Sequence, residues 1–394
     1  MRITGIDAIV LKVDREVSAF SGTAGTPGTY APLGNAAASD YGFSKEYTSL
    51  YSSKVESLLV KITTDDGRCG WGEAQVPVGP EAPQAIVRQV LTPLLLDQDP
   101  LAIEVLWHRM YDSLRGRGHR SSFMMDAIAA VDAALWDIAG KHCGQPVYRL
   151  LGGAFRNPVP LYLSGLSGHT TAEKVASAQQ AVTEGYRAIK VYIGKGIRED
   201  VGLLRAVREG IGYDVALLAD ALWMYNVHDA IRLGAELEKL DVALLEAPTV
   251  MEDVQGHAEI ARSLKMAVAG GETERTRYQL LPFLRERALD VVQPDIGRTG
   301  ITEGMKMLTL ADTFNIPAAP HMAIGQCVYI GASAHAAAAA RNLLWLEMNP
   351  AALAMANRFQ RHPWRVENGM LRVPDAPGLG VDIDVEALGP YMLR

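Results

Sequence analysis

The fold is decided by three short apolar runs, each of which ends in a carboxylate: Val215-Ala-Leu-Leu-Ala-Asp220, Ala243-Leu-Leu-Glu246 and Met266-Ala-Val-Ala-Gly-Gly-Glu272. The step from one acid to the next is 26 residues in both cases. Apolar runs of this length are typical of buried parallel strands, and the step matches one strand-loop-helix-loop unit. The equal spacing therefore predicts three acids at the same end of three consecutive parallel strands.

Three converging carboxylates point to a metal site. Asp220, Glu246 and Glu272 would repel one another unless a cation lay between them. Oxygen ligands suit a hard divalent ion, so we predict one Mg²⁺ per subunit held by these three acids. The alternative is three unrelated strand-end acids that cap helices or face water. Glu252 could replace Glu246 as a metal ligand, and Glu274 could replace Glu272, but their register with the strands is poorer.

The composition indicates an ordinary globular protein. The chain has 394 residues, 48% of them hydrophobic, and a formal net charge of −7. This length predicts two domains, and the negative charge argues against a nucleic-acid or membrane partner. Three widely spaced cysteines (Cys69, Cys143 and Cys327) suit a reducing compartment. The N-terminus alternates like a strand rather than a signal peptide, and no uncharged apolar run reaches the roughly 18 residues of a membrane span. We therefore expect a cytoplasmic protein.

Residues 1–140 have the pattern of an α+β domain. Two strand-like segments are separated by a loop at about residues 15–50 that is rich in Gly, Ser, Thr, Pro and Tyr. Such a long loop is usually functional or disordered, and its tyrosines favour a lid over a pocket. These tyrosines are Tyr30, Tyr41 and Tyr47. The clearest helix in this domain is predicted from Met124 to Gly140.

Residues 141–350 have the pattern of a repeat. Eight apolar runs alternate with seven segments of helical periodicity, which predicts a modified TIM barrel of the (β/α)7β type. The runs start near Val159, Ala188, Val215, Ala243, Met266, Leu289, Ile316 and Leu343. An open doubly wound sheet is the alternative, but no Gly-rich phosphate fingerprint follows any strand. We expect residues 351–394 to form short strands, including Pro377–Val381, and to pack back on the N-terminal domain, which would then cap the barrel.

The predicted strands deliver polar groups to one face of the barrel. Catalytic groups of barrel enzymes lie at the C-terminal ends of the strands. Read in order from the second strand, these ends carry Lys190 and Tyr192, Asp220, Glu246, Glu272, Asp295, His321 and Glu347. A lysine directed into a barrel needs an anion, and a substrate carboxylate would serve. His321 and Asp295, on adjacent strands, suit a catalytic pair in which the aspartate fixes the imidazole tautomer and raises its basicity. Alone, His321 could equally be a satisfied polar residue at a strand end.

Taken together, these motifs resemble the enolase superfamily and, within it, the mandelate racemase subgroup. The resemblance covers nearly the whole chain. It rests on the three carboxylates and on six further motifs: Gly70-Trp-Gly-Glu73, Ala133-Ala-Leu-Trp-Asp-Ile-Ala-Gly-Lys141, Leu150-Leu-Gly-Gly153, Gln293-Pro-Asp295, Pro320-His321 and Pro377-Gly-Leu-Gly380.

The resemblance implies a shared first chemical step. Magnesium and a lysine bind the substrate carboxylate, a base removes the α-proton, and the metal stabilises an enediolate; a Lys or His base with magnesium is a known property of this superfamily. Glu347 resembles the family's acid on the last strand, which hydrogen-bonds the substrate or intermediate. To donate that bond it must be protonated, which burial and a neighbouring carboxylate would favour. The resemblance also implies a homo-oligomer.

Two positions depart from the family pattern. The usual second lysine, two residues after the first, is Tyr192 here, and relatives often carry an asparagine where this chain has Leu222. A neutral phenol is better suited to act as an acid or hydrogen-bond donor than as a base. We therefore predict a magnesium-dependent dehydratase that converts a sugar acid (an aldonate or aldarate) into a 2-keto-3-deoxy acid. The alternatives are a racemase or epimerase of a 2-hydroxy acid, and a catalytically idle metal-binding or structural barrel.

Overall fold

A computed structural model describes residues 1–14, 30–32, 40–44 and 49–393. Most of the lid predicted at residues 15–50 lies outside the described residues, and so does Tyr47. Within the described part of the chain, no helix has both the length and the apolar character needed to cross a bilayer.

The N-terminal part is built on antiparallel strands. Its strands are β1 (Ile3–Asp14), β2 (Tyr30–Pro32), β3 (Tyr41–Ser44), β4 (Leu50–Ser52), β5 (Lys54–Thr64) and β6 (Cys69–Ala74). Strands β1, β5 and β6 pair in that order, and β2, β3 and β4 form a small separate sheet. Strand β5 is buried on both faces, because Leu58 and Val60 belong to the N-terminal core while Val55 and Leu59 pack into the core that extends to the barrel. The sheet is thus the layer that joins the two parts.

Helices pack on this sheet and, in part, against the barrel. They are α1 (Glu81–Ile86), α2 (Thr92–Leu95), α3 (Ile103–Arg115), α4 (Phe123–Cys143) and α5 (Val147–Leu150), with a π-helical segment at Val87–Leu91. The predicted end of α4 at Gly140 is wrong by about one turn, since the helix runs on to Cys143 and Gly144 adopts the left-handed cap conformation, with φ of 64°. Gly140 serves packing instead, because a Cβ there would lie 2.5 Å from the Cα of Gly378.

The second part is a closed parallel barrel, which confirms the predicted fold class. Its regular strands are β7 (Val159–Ser164), β8 (Ala188–Tyr192), β9 (Ala216–Asp220), β10 (Val242–Glu246), β11 (Ala267–Gly270), β12 (Val291–Val292) and β13 (Leu346–Met348). The run predicted near Ile316 forms no regular strand, since Ala318 alone bridges Val292 on one side and Leu343 on the other. Pairing of β13 with β7 closes the barrel.

Seven helices alternate with these strands. They are α6 (Thr171–Thr183), α7 (Ile197–Ile211), α8 (Val227–Glu238), α9 (Val254–Ser263), α10 (Arg277–Arg285), α11 (Ile296–Thr313) and α12 (Cys327–Ala339). Helix α11 starts directly at the end of its strand, where Asp295 caps it by accepting a hydrogen bond from the Gly297 N–H. Its backbone is interrupted at Gly300, whose φ of 76° is not helical.

The last segment contacts both parts of the molecule. It contains α13 (Pro350–Asn357), β14 (Val366–Glu367), β15 (Met370–Leu371), α14 (Val385–Leu388) and β16 (Met392–Leu393). Strand β15 pairs with β7 of the barrel, and β16 pairs with β1 of the N-terminal sheet. No strand forms in Pro377–Val381, because Gly378 and Gly380 have φ of 77° and 64°. The boundaries predicted at residues 140 and 350 stay predictions.

Candidate active site

The C-terminal ends of the barrel strands bring the predicted acids together around one lysine. In the pairing of the strands, Asp220 of β9 lies between Tyr192 of β8 and Glu246 of β10. The ammonium of Lys190 lies 3.2 Å from a carboxylate oxygen of Asp220, 2.8 Å from one of Glu246 and 2.9 Å from one of Glu347. The side chain of Lys190 is 1% exposed, so these ion pairs are shielded from water. The sequence predicts an anion beside this lysine, namely a substrate carboxylate. In this structure the neighbouring anions are carboxylates of the protein itself.

The carboxylates carry more negative charge than Lys190 neutralises. Burial is the largest cause that raises the pKa of Glu246, repulsion from Asp220 adds to it, and the pKa reaches about 8 despite Lys190. Burial and the charge of Glu272 likewise raise the pKa of Asp220. Five acids (Asp220, Glu246, Glu272, Asp295 and Glu347) share this region with three basic side chains, Lys190, Arg298 and His321, so the acids outnumber the basic groups.

His321 and Asp295 form the predicted pair. The Nδ1 atom of His321 lies 2.6 Å from Oδ2 of Asp295, and its Nε2 atom lies 3.1 Å from Oε2 of Glu272. Burial lowers the pKa of His321, but Glu272, Glu347 and Asp295 together raise it to about 9. In this arrangement the imidazole is therefore protonated at neutral pH and donates a hydrogen bond from Nδ1 to Asp295.

The expectation that Glu347 is protonated is wrong. Burial does favour the neutral acid, yet the charges of Lys190 and His321 outweigh it and lower the pKa of Glu347 to about 2. The Met322 N–H also donates to Oε2 of Glu347. The expectation gave weight to neighbouring carboxylates, whereas the nearest charged atom is the Lys190 ammonium. Glu347 is thus an ionised acceptor.

Tyr192 is a neutral phenol next to the cavity. Burial raises its pKa above the ordinary value of 10 in spite of the nearby Lys190 ammonium. Its hydroxyl lies 3.0 Å from the Ser164 hydroxyl at the end of β7. Leu222, in place of the family's asparagine, has φ of 49°, and its N–H donates to Asp220. A left-handed leucine beside a site carboxylate is a costly conformation that the surrounding turn must hold.

A cavity of about 290 Å³ lies above these residues, between the barrel and the N-terminal part. This is at the small end of the range for ligand sites. Its barrel side is formed by Ser164, Tyr192, Asp220, Leu222, Trp223, Glu272, Arg298, His321, Ala323, Ile324, Glu347 and Asn349. Its other side is formed by Ser49, Leu50, Tyr51, Ser52, Val55, Glu56, Gln75, Pro77 and Val78. Lys190 and Glu246 lie beneath the lining.

Neither the rival ligands nor the described lid tyrosine line this cavity. Glu252 and Glu274 line a different depression, separated from the first by Trp223, which borders both. The structure thus favours Glu246 and Glu272 over them as members of the site. Tyr41 donates from its hydroxyl to Glu56, a lining residue, and so lies behind the cavity wall.

The residues present fit a divalent cation in charge and in donor chemistry. Among the described residues, no three His, Cys, Asp or Glu side chains already enclose a position for a metal ion. The reason is that the Lys190 ammonium takes up an oxygen of Asp220 and one of Glu246. The acids outnumber the basic groups around them, and every donor is a carboxylate oxygen, as Mg²⁺ prefers. The ligands would be Asp220, Glu246 and Glu272.

Three further residues support the site. Gln293 donates from Nε2 to Glu246 at 2.6 Å, and Arg298 donates to the carbonyl of Glu272. Tyr329 donates its hydroxyl to Oδ2 of Asp295 at 3.0 Å. Gln293 lies in the motif Gln293-Pro-Asp295 quoted above, but the sequence predicted no role for it. Tyr329 had no local signal, since it lies 34 residues beyond Asp295.

Comparison with known proteins identifies the family. Residues 173–388 match the model for the enolase C-terminal domain-like family, and residues 48–152 match that for the mandelate racemase / muconate lactonizing enzyme N-terminal domain. The chain is 37% identical over 334 residues to an arabinonate dehydratase of Saccharolobus solfataricus, covering 84% of this chain and 88% of that protein. This chain belongs to the mandelate racemase family of the enolase superfamily.

Other members of the mandelate racemase family are similarly close. A D-galactarolactone cycloisomerase of Agrobacterium fabrum is 35% identical over 362 residues, which cover 88% of this chain and 94% of that protein. A solved structure of a racemase from Streptomyces coelicolor A3(2) with bound magnesium superposes with a TM-score of 0.84 at 28% identity, covering 99% of this chain and all of that one. The match to this family and to named dehydratases makes the present chain an enzyme of the lyase type.

Proposed function

We propose that this enzyme dehydrates a sugar acid, an aldonate or aldarate, to a 2-keto-3-deoxy acid in a magnesium-dependent reaction. The observation that carries the proposal is the His321–Asp295 pair, whose histidine lines the same cavity as Asp220, Glu272 and Glu347. A base and a cluster suited to a cation on one cavity are the two requirements for removing the proton next to a carboxylate. Relatives named as dehydratases of arabinonate, galactonate and xylonate support the substrate class.

Magnesium, when held by Asp220, Glu246 and Glu272, would supply a Lewis acid for the developing charge on the substrate carboxylate. Lys190 would provide a second fixed positive charge for the same carboxylate, because the ligands would no longer depend on its ammonium for neutralisation. Glu347 is ionised and therefore accepts hydrogen bonds, for example from a substrate hydroxyl. The excess of acids over basic groups supports one divalent cation per subunit as part of this proposal.

His321 would act first as base and then as acid. Glu272 is the strongest of the charges that raise the pKa of His321. If a bound cation neutralised Glu272, burial would lower the pKa of His321 again. The Nε2 atom would then be free to take the α-proton. Asp295 holds the proton on Nδ1 throughout. The imidazolium then returns a proton to the departing β-hydroxyl, the C–O bond breaks, and water leaves. The resulting enol becomes the 2-keto acid.

Racemisation is the weaker candidate for this site. A racemase needs a competent base on each face of the α-carbon. The second position is Tyr192, and its raised pKa keeps it neutral at physiological pH. A neutral phenol suits hydrogen-bond donation to the substrate instead. A catalytically idle barrel is weaker still, because it has no need for the buried His321–Asp295 pair.

The test is a screen of aldonates and aldarates with Mg²⁺ in heavy water. A dehydratase forms a 2-keto acid that semicarbazide detects, and the His321→Asn variant forms none. Exchange of the α-proton with inversion but without a keto acid would replace the proposal with a racemase. Absence of both product and exchange across the whole panel would contradict an enzyme of this substrate class.

A further inference from the structure

Strand β6 carries the motif Gly70-Trp-Gly-Glu73, to which the proposed chemistry assigns no role. A Cβ at Gly72 would lie 1.8 Å from the carbonyl oxygen of Ala130, and one at Gly70 would lie 2.2 Å from that of Ala134. The two glycines therefore allow β6 to rest directly on the backbone of α4. Because side chains alternate along a strand, Glu73 projects from the opposite face of β6, towards the barrel.

Glu73 caps a barrel helix from outside the barrel. Its Oε1 atom accepts a hydrogen bond from the Gln326 N–H at 2.7 Å, and its Oε2 atom accepts one from the Tyr329 N–H at 2.9 Å. These groups belong to the first turn of α12, where N–H groups have no partner within the helix. The side chain of Gln326, at the N-cap position, makes no capping bond. Glu73 is 1% exposed, so its carboxylate replaces a local cap in a dry environment.

The first turn of α12, which Glu73 caps, contains Tyr329. The Tyr329 hydroxyl contacts Asp295 and the backbone close to His321. The Tyr329 hydroxyl donates to Oδ2 of Asp295 and accepts a hydrogen bond from the Ala323 N–H, two residues after His321. The ring has little freedom, because a Cβ at Gly297 would lie 2.6 Å from it and one at Gly325 would lie 2.2 Å from it. A shift of the first turn of α12 would thus move the hydroxyl and the aspartate it supports.

Gln75, directly after the end of β6, holds the neighbouring helix. The backbone N–H of Gln75 donates to the carbonyl of Gly297 at 3.0 Å, and its Oε1 atom accepts from Nε of Arg298 at 2.9 Å. Both contacts lie in the first turn of α11, directly after Asp295. The end of β6 and the residue after it therefore contact the two helices whose starts flank the His321–Asp295 pair.

We propose that Glu73 is a positioning residue for catalysis, which acts through Tyr329 on the His321–Asp295 pair. The N-terminal domain would then hold the base of the reaction in its working geometry as well as form one wall of the cavity. This inference rests on the proposed function, since it takes His321 as the base. A role confined to the stability of the domain contact is the competing explanation.

The first test is a double-mutant cycle with Glu73→Gln and Tyr329→Phe. Each single variant is expected to lower kcat roughly 10- to 100-fold, as loss of such supporting partners commonly does, with KM unchanged. Because Glu73 acts through Tyr329, the double variant should be about as slow as the slower single variant. If the fold-losses of kcat in the two single variants multiply in the double variant, the proposed route through Tyr329 is wrong.

A matched control is Asp137→Asn. Asp137 is another buried carboxylate that accepts hydrogen bonds from backbone N–H groups, those of Trp71 and Leu379, and neither of these residues belongs to α11 or α12. This variant is expected to lower thermal stability and to keep kcat. If Glu73→Gln behaves in the same way, with kcat intact, Glu73 has a structural role only.

A proton NMR measurement separates this inference from the proposed function. The short bond between His321 and Asp295 is expected to give a far-downfield Nδ1 proton, which His321→Asn would assign by removing it. Glu73→Gln should shift or broaden this signal and Asp137→Asn should not. An unchanged signal in Glu73→Gln would refute positioning even if the wild-type enzyme is active. A wild-type enzyme inactive on every sugar acid would refute the proposed function, while the signal still decides the positioning role.

Discussion

Glu347 shows how two neighbouring cations can reverse the role of a residue. A buried acid close to other acids is expected to be protonated. The Lys190 ammonium at 2.9 Å instead keeps it ionised, with its pKa lowered to about 2. The residue is therefore an acceptor in the site. Lys190 lowers this pKa together with His321, because Glu246 lies as close to the same ammonium and yet has a raised pKa.

Tyr192 and His321 are expected to have separable roles. Tyr192→Phe should keep exchange of the α-proton with heavy water but slow formation of the keto acid by about 10-fold, the cost of one lost hydrogen bond from the phenol to the substrate. His321→Asn should abolish both, because it removes the base. Proton NMR of the substrate measures exchange, and semicarbazide measures the keto acid.

The control for this pair of variants is Tyr186→Phe, a buried tyrosine away from the cavity lining. It should change neither rate. Loss of exchange in Tyr192→Phe would mean that the phenol is needed for proton removal itself, contrary to the role proposed for it.

At the level of elements, the closest packing joins β6 to α4. Gly72→Ala should lower the free energy of unfolding by about 1–3 kcal/mol, the usual cost of overpacking, because the new Cβ would meet a backbone carbonyl that cannot rotate away. Gly5→Ala is the matched control in β1, where a Cβ would meet nothing within 4 Å. Urea unfolding of both variants measures the difference. Equal stability of the two would contradict the close approach of strand and helix.

At the level of the whole molecule, a divalent cation should stabilise the fold. Binding to the folded state alone adds about 2.7 kcal/mol at 100 times the Kd, so Mg²⁺ should raise the melting temperature and EDTA should reverse the effect. Circular dichroism on heating measures it. Glu246→Gln should lose most of the shift and Glu252→Gln should keep it. The opposite result would transfer the ligand role to Glu252.

Two buried acids away from the cation site should make stability depend on pH. Burial raises the pKa of Asp132 to about 6 and that of Glu73 to about 7, although hydrogen bonds to Thr302 and to backbone N–H groups oppose it. Between the ordinary acid pKa and these raised values, the folded state binds more protons than the unfolded state. The stabilising contribution is therefore complete below about pH 4 and is lost as the pH rises through 6 to 7.

The measurement is urea unfolding in EDTA at several values from pH 4.5 to 7.5. Asp132→Asn should flatten the fall in unfolding free energy with rising pH, by at most about 1.4 kcal/mol per pH unit for one proton. An identical slope in wild type and variant would show that Asp132 is ionised throughout this range.

Much of the fold and of the candidate site follows from periodicity along the chain. The equal steps between Asp220, Glu246 and Glu272 predict parallel strands, because one strand-helix unit has a nearly constant length. That regularity also places Lys190 and His321 at the same end of the barrel. Weak local patterns were less informative. The seventh strand is one bridging residue, and α4 passes Gly140 because the distant Gly378 packs against it.

Tertiary structure decided the states and partners of these residues. Whether Glu347 is charged depends on an ammonium 157 positions earlier in the chain, and the support of Asp295 depends on Tyr329 and Glu73, which come from different domains. Local sequence has no access to such contacts, because electrostatic energy depends on distance in space and on burial. Spacing is thus enough to predict which groups meet at the barrel mouth. Only packing determines which of them are charged, and what holds them in place.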